Sequence, residues 1–500
     1  MKAAVFSGME VETGGMGGVS RREMFSAAGL AAAWAASMVR EAAASPPSAA
    51  ADVDPASMLR KLVRRTTFGI NDEQMYRVGE LGYNGYLEYQ LAYEAISDTS
   101  LDLMLAMLPT LNLAPFQLYA LSPGLIQAEL VHASLLRAIY SKRQLYQRTV
   151  ELWTDHFHVD VTTDPARYIK TVNDREVIRP HAMGTFPQLL RAVAYSPAML
   201  VYLNNDRSVV GEPNENFARE LMELHTLGVD AGYSQTDVDE IARCFTGWGV
   251  VPRSTTDTTA GTFRFDPARH DNGQKIVLGN VIPAGGGQQD GETVLAILAN
   301  HPGTAKRVAG KICRWFYGED ASQSLVNSVA AVYTATGGGI KPMIRAVLAP
   351  NVLYGAAPKL KRPFHQFVSA FRVLPATISS VAGLRYYLNI SGHEPFIWPA
   401  PNGYPDTLEY WSGGMLPRWN FGASLLAGLI GGADVDYAFL HGLVTAAQVV
   451  DWIDDHMFAS EMPAADKERI RQYLLPDPPY ISFKREAIGL AIASPGFQWY

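Results

Sequence analysis

From Pro55 onward, apolar residues recur at intervals of three and four, and almost nowhere do they alternate as a strand requires. That single feature commits the chain to helices packed on helices. The pattern predicts helices over 101–108, 125–140, 143–158 and 185–195, with a shorter one from Met58 that ends at Phe68-Gly69. It continues over 214–227, 237–245, 292–300, 302–317, 322–336 and 341–348, and again over 464–474 and 484–492. Strand candidates reduce to Thr262–Phe265 and Lys275–Leu278, which are expected to form one small hairpin across a turn-rich stretch. The fold class is therefore mainly α: a single large helical globular domain over 55–500, with long irregular loops and at most a small β-hairpin. Hydrophobic content of 48% with 18% charged residues supplies an ordinary core for it.

The segment before Pro55 reads differently. Ser20-Arg21-Arg22-Glu23-Met24-Phe25 precedes an uncharged run, Ser26 to Val39, and then Ala42-Ala43-Ala44 and Ser45-Pro46-Pro47. A basic region, a short apolar stretch and small residues in that order make a secretory signal. The paired arginines make it a twin-arginine signal peptide over 1–44, with cleavage near Ala44 or alternatively near Ala50. Met24 departs from the phenylalanine usual there. About 14 apolar residues fall short of the roughly 20 that a bilayer span requires. Residues 45–54 read as a flexible leader. The expected location is periplasmic or extracellular, with no membrane span in the mature chain.

Four basic and four acidic residues cancel within 1–44, so the mature chain keeps the net charge of −7. Mixed, mildly acidic charge provides no electrostatic footprint for nucleic acid. Two cysteines, Cys244 and Cys313, cannot build a disulfide framework or a Cys-x-x-Cys metal site. Both stand in helical patterns, and folding before export, in a reducing compartment, favours buried thiols. The triple glycine at Gly285 lacks the Lys-Ser/Thr of a phosphate loop. A nucleophile elbow, a His-Glu-x-x-His helix and a dinucleotide fingerprint are likewise absent.

Chemistry-bearing residues gather in three places. The first is Asn214 to Trp248, a predicted helix pair with Phe217, Leu221 and Leu224 on one core stripe and Val238, Ile241, Phe245 and Trp248 on the other. Glu220 and Glu223 flank the first stripe, His225 lies at its edge, and Gly228 is placed to end the helix. Thr236 with Asp239 is the expected capping box of the second helix. Paired carboxylates with a histidine suit general acid–base work or a divalent cation, whereas Glu215–Arg219 and Asp239–Arg243 also read as plain ion pairs. The second place is Leu152 to His158, where His156 falls on the buried face and is either a ligand or a hydrogen-bonded core histidine. The third is His270-Asp271, in a loop that offers a base or simply a turn. Residues 390–420, dense in Pro, Gly, Trp and Tyr, form a long irregular segment; Trp398, Tyr404, Trp411 and Trp419 are its candidate substrate-binding residues.

These stretches, in this order, resemble the bacterial family called domain of unknown function (DUF) 1800. The resemblance runs from Leu59-Arg60-Lys61-Leu62 through Leu152-Trp153-Thr154-Asp155-His156-Phe157 and the Asn214 to Gly228 element to Ser494-Pro495-Gly496-Phe497-Gln498. It implies a helical single unit, frequent export, and pairing with a co-encoded exported protein of the phosphatase/sulfatase-like class. It implies no reaction, no cofactor and no catalytic residues.

Three functions stay open on this reading. One is an exported hydrolase or lyase acting on an envelope or extracellular polymer, with Glu220, Glu223, His225, His156, His270 and Asp271 as catalytic candidates and the aromatic segment as substrate wall. The others are a non-catalytic, partner-binding envelope protein and a metal-binding or redox protein. Cofactor and metal are unknown. The enzyme reading expects at least two of the three clusters to meet in one open pocket.

Overall fold

Asp54 caps the first described helix: its carboxylate accepts the Ala56 backbone N–H at 3.0 Å, and Pro55 takes the first helical position, where no N–H is needed. The computed structural model describes residues 54–500. The predicted signal peptide and all of the leader but Asp54 lie outside the described residues.

The helices used below are α1 (Pro55–Thr66), α2 (Asp72–Leu91), α3 (Pro123–Tyr140), α4 (Gln144–His156), α5 (Glu215–Glu220), α6 (Gln235–Cys244), α7 (Pro302–Phe316), α8 (Pro363–Val373), α9 (Met415–Leu426) and α10 (Ile481–Ala493). The protein is mainly α, as its periodicity predicts. Strands among the described residues form three antiparallel pairs: β1 (Trp248–Val250) with β2 (Phe263–Phe265), β3 (Lys275–Val277) with β4 (Asn280–Ile282), and β5 (Ala376–Ile378) with β6 (Ala433–Val435). The two predicted strands exist but do not pair with each other. Leu278 and Gly279, both at positive φ, close a two-residue turn that gives β3 its own partner, β4. That leaves β2 to pair with β1.

Two apolar cores lie side by side. One gathers Leu62, Leu145, Leu152, Trp153, Phe186, Leu221, Phe245 and Trp315. The other gathers Leu130 and Leu135 of α3, Phe367 and Phe371 of α8, Phe421 of α9 and Ile488 of α10. Helix α4 sends its apolar face into the first core and α8 sends its phenylalanines into the second. The polar faces of these two helices meet at the seam between the cores.

Helix α1 spans the chain's length by its contacts. Arg60 lies 3.4 Å from Glu461, Arg64 pairs with the same carboxylate, and Lys61 donates to the carbonyls of Tyr354 and Ala356.

The Asn214 to Trp248 element departs from its expected form. After Glu220 the helix widens to a π-turn over Leu221–His225, and the Thr226 hydroxyl bonds the Leu221 carbonyl at 2.7 Å. The extra residue rotates everything after Leu221, so Leu224 ends half-buried and His225 fully buried. Gly228 has φ +92°, the left-handed stop predicted for it. The capping box falls two residues earlier than expected, on Ser234 and Asp237. Val238, Ile241, Phe245 and Trp248 are buried as read. Arg243 pairs with Glu240 and Asp271, while Asp239 accepts from Gln235. Part of the segment expected to be irregular is helical: Arg418-Trp419-Asn420 lie on α9. No helix among the described residues is long and apolar enough to cross a membrane.

Candidate active site

Along α4, Arg148, Glu151 and Asp155 stand three and four residues apart and therefore share one face. That face looks across the seam at Arg362 and His365, which Pro363 sets in place by starting α8 between them. His365 Nε2 lies 2.7 Å from Glu151 Oε1, and Arg148 Nη1 lies 2.9 Å from His365 Nδ1 and 2.7 Å from the Tyr500 hydroxyl. Arg362 bonds the Asp155 carboxylate and reaches toward Glu151 at 3.9 Å and Asp406 at 3.5 Å. Lys359 donates to Asp406 at 2.7 Å. The cations of Arg148, Arg362 and Lys359 all lie within about 5 Å of the Trp315 ring, at 4.9, 4.6 and 5.3 Å from its centroid.

Burial governs the titration of these acids. It pushes the Glu151 carboxyl up to about 7 and Asp155 up to about 6, against the opposing pull of Arg148 and Arg362. Asp406 goes the other way: burial opposes its charge, but Lys359 and Arg362 together hold it down at about 2. Burial, reinforced by Arg148 and Arg362, keeps His365 neutral well below the usual histidine range. Since arginine only donates, Nδ1 of His365 must accept, and its Nε2–H points to Glu151.

The pair is not sealed. Glu151 and Asp155 keep 17% and 15% of their side-chain surface accessible. They line a small cleft of about 60 Å³, with His393, Phe396, Tyr404 and Thr154 among its walls. That space admits a few water-sized groups, so the tip of a substituent can reach the pair. His393 accepts the Phe364 N–H at Nδ1 (3.2 Å), and its ring lies 4.7 Å from both Tyr404 and Trp411. Tyr404 donates to the Glu394 carbonyl. The aromatic segment is brought against α4 by Gly403, whose φ is +69° and whose added Cβ would stand 2.0 Å from the Asp155 carbonyl oxygen.

Of the aromatic residues singled out in the sequence, Trp398, Tyr404 and Trp411 pack together, and Tyr404 reaches the cleft. Trp419 stands apart on α9. His156 and His225 do meet: His156 Nε2 bonds the His225 carbonyl at 3.0 Å and the rings are 6.0 Å apart. Phe157 packs on both rings, and the two histidines are 3% and 0% exposed, without access from solvent. Burial holds both neutral, His156 well below its usual range and His225 near 3, with Arg307 and Lys311 adding repulsion. Glu223 lies 3.6 Å from Arg219. Glu220 is half-buried and raised by that burial and by the Glu223 charge beside it. His270 joins a separate group: its Nδ1 lies 2.8 Å from the Thr246 carbonyl and its Nε2 3.1 Å from Asp290, which also binds the buried Lys275 at 2.5 Å. Asp271 is clamped by Arg243 at 2.8 Å, a bond that holds its carboxyl near 2. Cys244 and Cys313 are both free and buried. Among the described residues, no group of three or more His, Cys, Asp and Glu side chains is arranged to hold a metal ion.

A two-core helical domain with a carboxyl pair at its seam defines the class of this molecule: a mainly helical protein with a polar centre that opens on a cleft. The chain belongs to the DUF1800 family, protein of unknown function, whose model matches residues 61–499. No curated protein and no solved structure matches it.

Proposed function

We propose that this chain is an exported hydrolase or lyase acting on an envelope or extracellular polymer, with Glu151 and Asp155 as its acid–base pair. One observation carries the reading: two neighbouring carboxyls, each held by a nitrogen donor, keep part of their surface accessible on a small cleft with aromatic walls. Near neutral pH Glu151 retains a share of its proton and can give it to a leaving group, while Asp155, pinned by Arg362, is largely ionised and can accept one. In this reading Glu220, Glu223, His225, His156, His270 and Asp271 serve structure. Export rests on Arg21-Arg22 ahead of the short apolar run.

The test of activity is new chain ends released from purified cell-wall and exopolysaccharide preparations. E151Q and D155N should each lower the rate at least about 100-fold. Undiminished cleavage by either variant removes the assignment. For export, replacing Arg21 and Arg22 with lysine should retain the precursor in the cytoplasm, and undiminished export of that variant removes the twin-arginine route.

A second reading has its own support. His365 bonds Glu151, Arg362 pairs with Asp155 and Lys359 with Asp406, so the network can serve as a rigid core for a non-catalytic protein. The partner on that reading is a co-encoded exported protein of the phosphatase/sulfatase-like class, and retained activity in E151Q with lost stability favours it.

A further inference from the structure

Helix α7 carries Arg307, Lys311 and Arg314 at spacings of four and three residues, which puts all three on one face. Among the described residues no carboxylate pairs with any of them, and the buried Nε of Arg307 has no hydrogen-bond partner. Neighbouring like charges at this spacing cost a helix a few tenths of a kcal/mol each. The cost is visible here: burial and then Arg314 weaken the charge on Arg307, and burial and then Arg307 bring Lys311 down to about 8. A chain with 49 acidic residues against 42 basic ones could supply a counter-charge. The carboxylates that act on Lys311 are Asp155 and Asp406, and both are already committed to Arg362 and Lys359. The stripe therefore keeps net positive charge that no carboxylate among the described residues pairs with.

We infer that the Arg307–Lys311–Arg314 stripe binds an anionic polymer whose successive phosphate or carboxylate groups supply the counter-charge that the protein does not. Two guanidinium forks and an ammonium suit oxyanions of either kind. The helix rises roughly 10 Å between Arg307 and Arg314, room for more than one charged group and too long for a single free phosphate. The stripe lies outside the residues that line the Glu151–Asp155 cleft, and its binding does not depend on the acid–base assignment there.

The experiment measures binding by the full chain at low salt, with three probes: polyphosphate of defined length, oligogalacturonate and inorganic phosphate. The wild type should bind one of the two polymers well above inorganic phosphate, and which one tells phosphate from carboxylate. R307Q/K311Q/R314Q should lose at least tenfold in affinity while its thermal midpoint holds or rises, since repulsion is relieved. E151Q should bind as the wild type does, which separates this test from the fate of the acid–base assignment. Binding of neither polymer, undiminished binding by the triple variant, binding of inorganic phosphate as tight as that of polymer, or a lowered midpoint alongside lost binding would each overturn the inference.

Discussion

Gly403 sits so close to Asp155 that a β-carbon added to it would stand 2.0 Å from the Asp155 carbonyl oxygen. The contact joins an irregular aromatic segment to the last turn of α4, and Tyr404, the next residue, enters the cleft because of it. Gly403→Ala meets both a backbone atom and an unfavourable φ of +69°. The expected cost is at least about 1–2 kcal/mol in denaturant melts, with a changed near-ultraviolet aromatic signal. A neutral substitution with an unchanged signal would show that the segment is not anchored there.

Among the described residues, Arg362 is the one cation that reaches Asp155, Glu151 and Asp406 together. Arg362→Met should cost roughly 3–5 kcal/mol, because it leaves buried carboxylates without their partner. Adding Asp155→Asn should recover part of that loss. A cost below about 1 kcal/mol for the single variant would mean that solvent in the cleft already carries the charge.

Stability should fall as pH drops below about 7. His156, His158, His225, His365 and His393 all have folded-state values lowered by burial, so the unfolded chain takes up protons first as pH falls through the ordinary histidine value near 6.5. Glu151 and Asp155 run the other way: their raised values let the folded state bind protons first, between about 7 and the ordinary carboxyl range. Five groups outweigh two, and the slope near pH 5 reaches roughly 4 kcal/mol per pH unit at most. Unfolding free energies at pH 7.5 and 5.5 check this, and a flat or inverted profile would contradict the buried, neutral state of the histidines.

The helix pair at 214–248 predicts a contrast between neighbours. Leu221→Ala and Phe245→Ala truncate residues that are 1% and 0% exposed and should each cost about 2–5 kcal/mol. Glu223→Gln loosens a contact of 3.6 Å to a half-exposed arginine and should change stability by no more than about 0.5 kcal/mol. A large loss from Glu223→Gln would reveal a buried partner for that carboxylate.

Most helices were legible because each buries one face and leaves the other wet. Helix α8 was not: in Pro-Phe-His-Gln-Phe-Val-Ser-Ala-Phe-Arg-Val every residue but the last is buried, so no polar stripe marks its period. Helix α2 was hidden by glycines and is kinked at Gly82. At the site, the spacing of Arg148, Glu151 and Asp155 marks a charged face, whereas the more conspicuous His156, one residue further round, turns into the core. Arg362 and Asp406 left no local signal. Arg362 is 207 residues from Asp155, and nothing in a linear pattern encodes a partner at that range. The π-turn at Leu221–His225 escaped because one added residue leaves composition and spacing unchanged.

The anchoring of α1 sets a clock on synthesis. Arg64 must wait for Glu461, 397 residues later, before α1 can close against its neighbour. At ordinary elongation rates of about 5–20 residues per second, that is a delay of roughly 20–80 s. Throughout it the helix that directly follows the N-terminal segment is without its final partner, so its docking reports that nearly the whole polypeptide has been made.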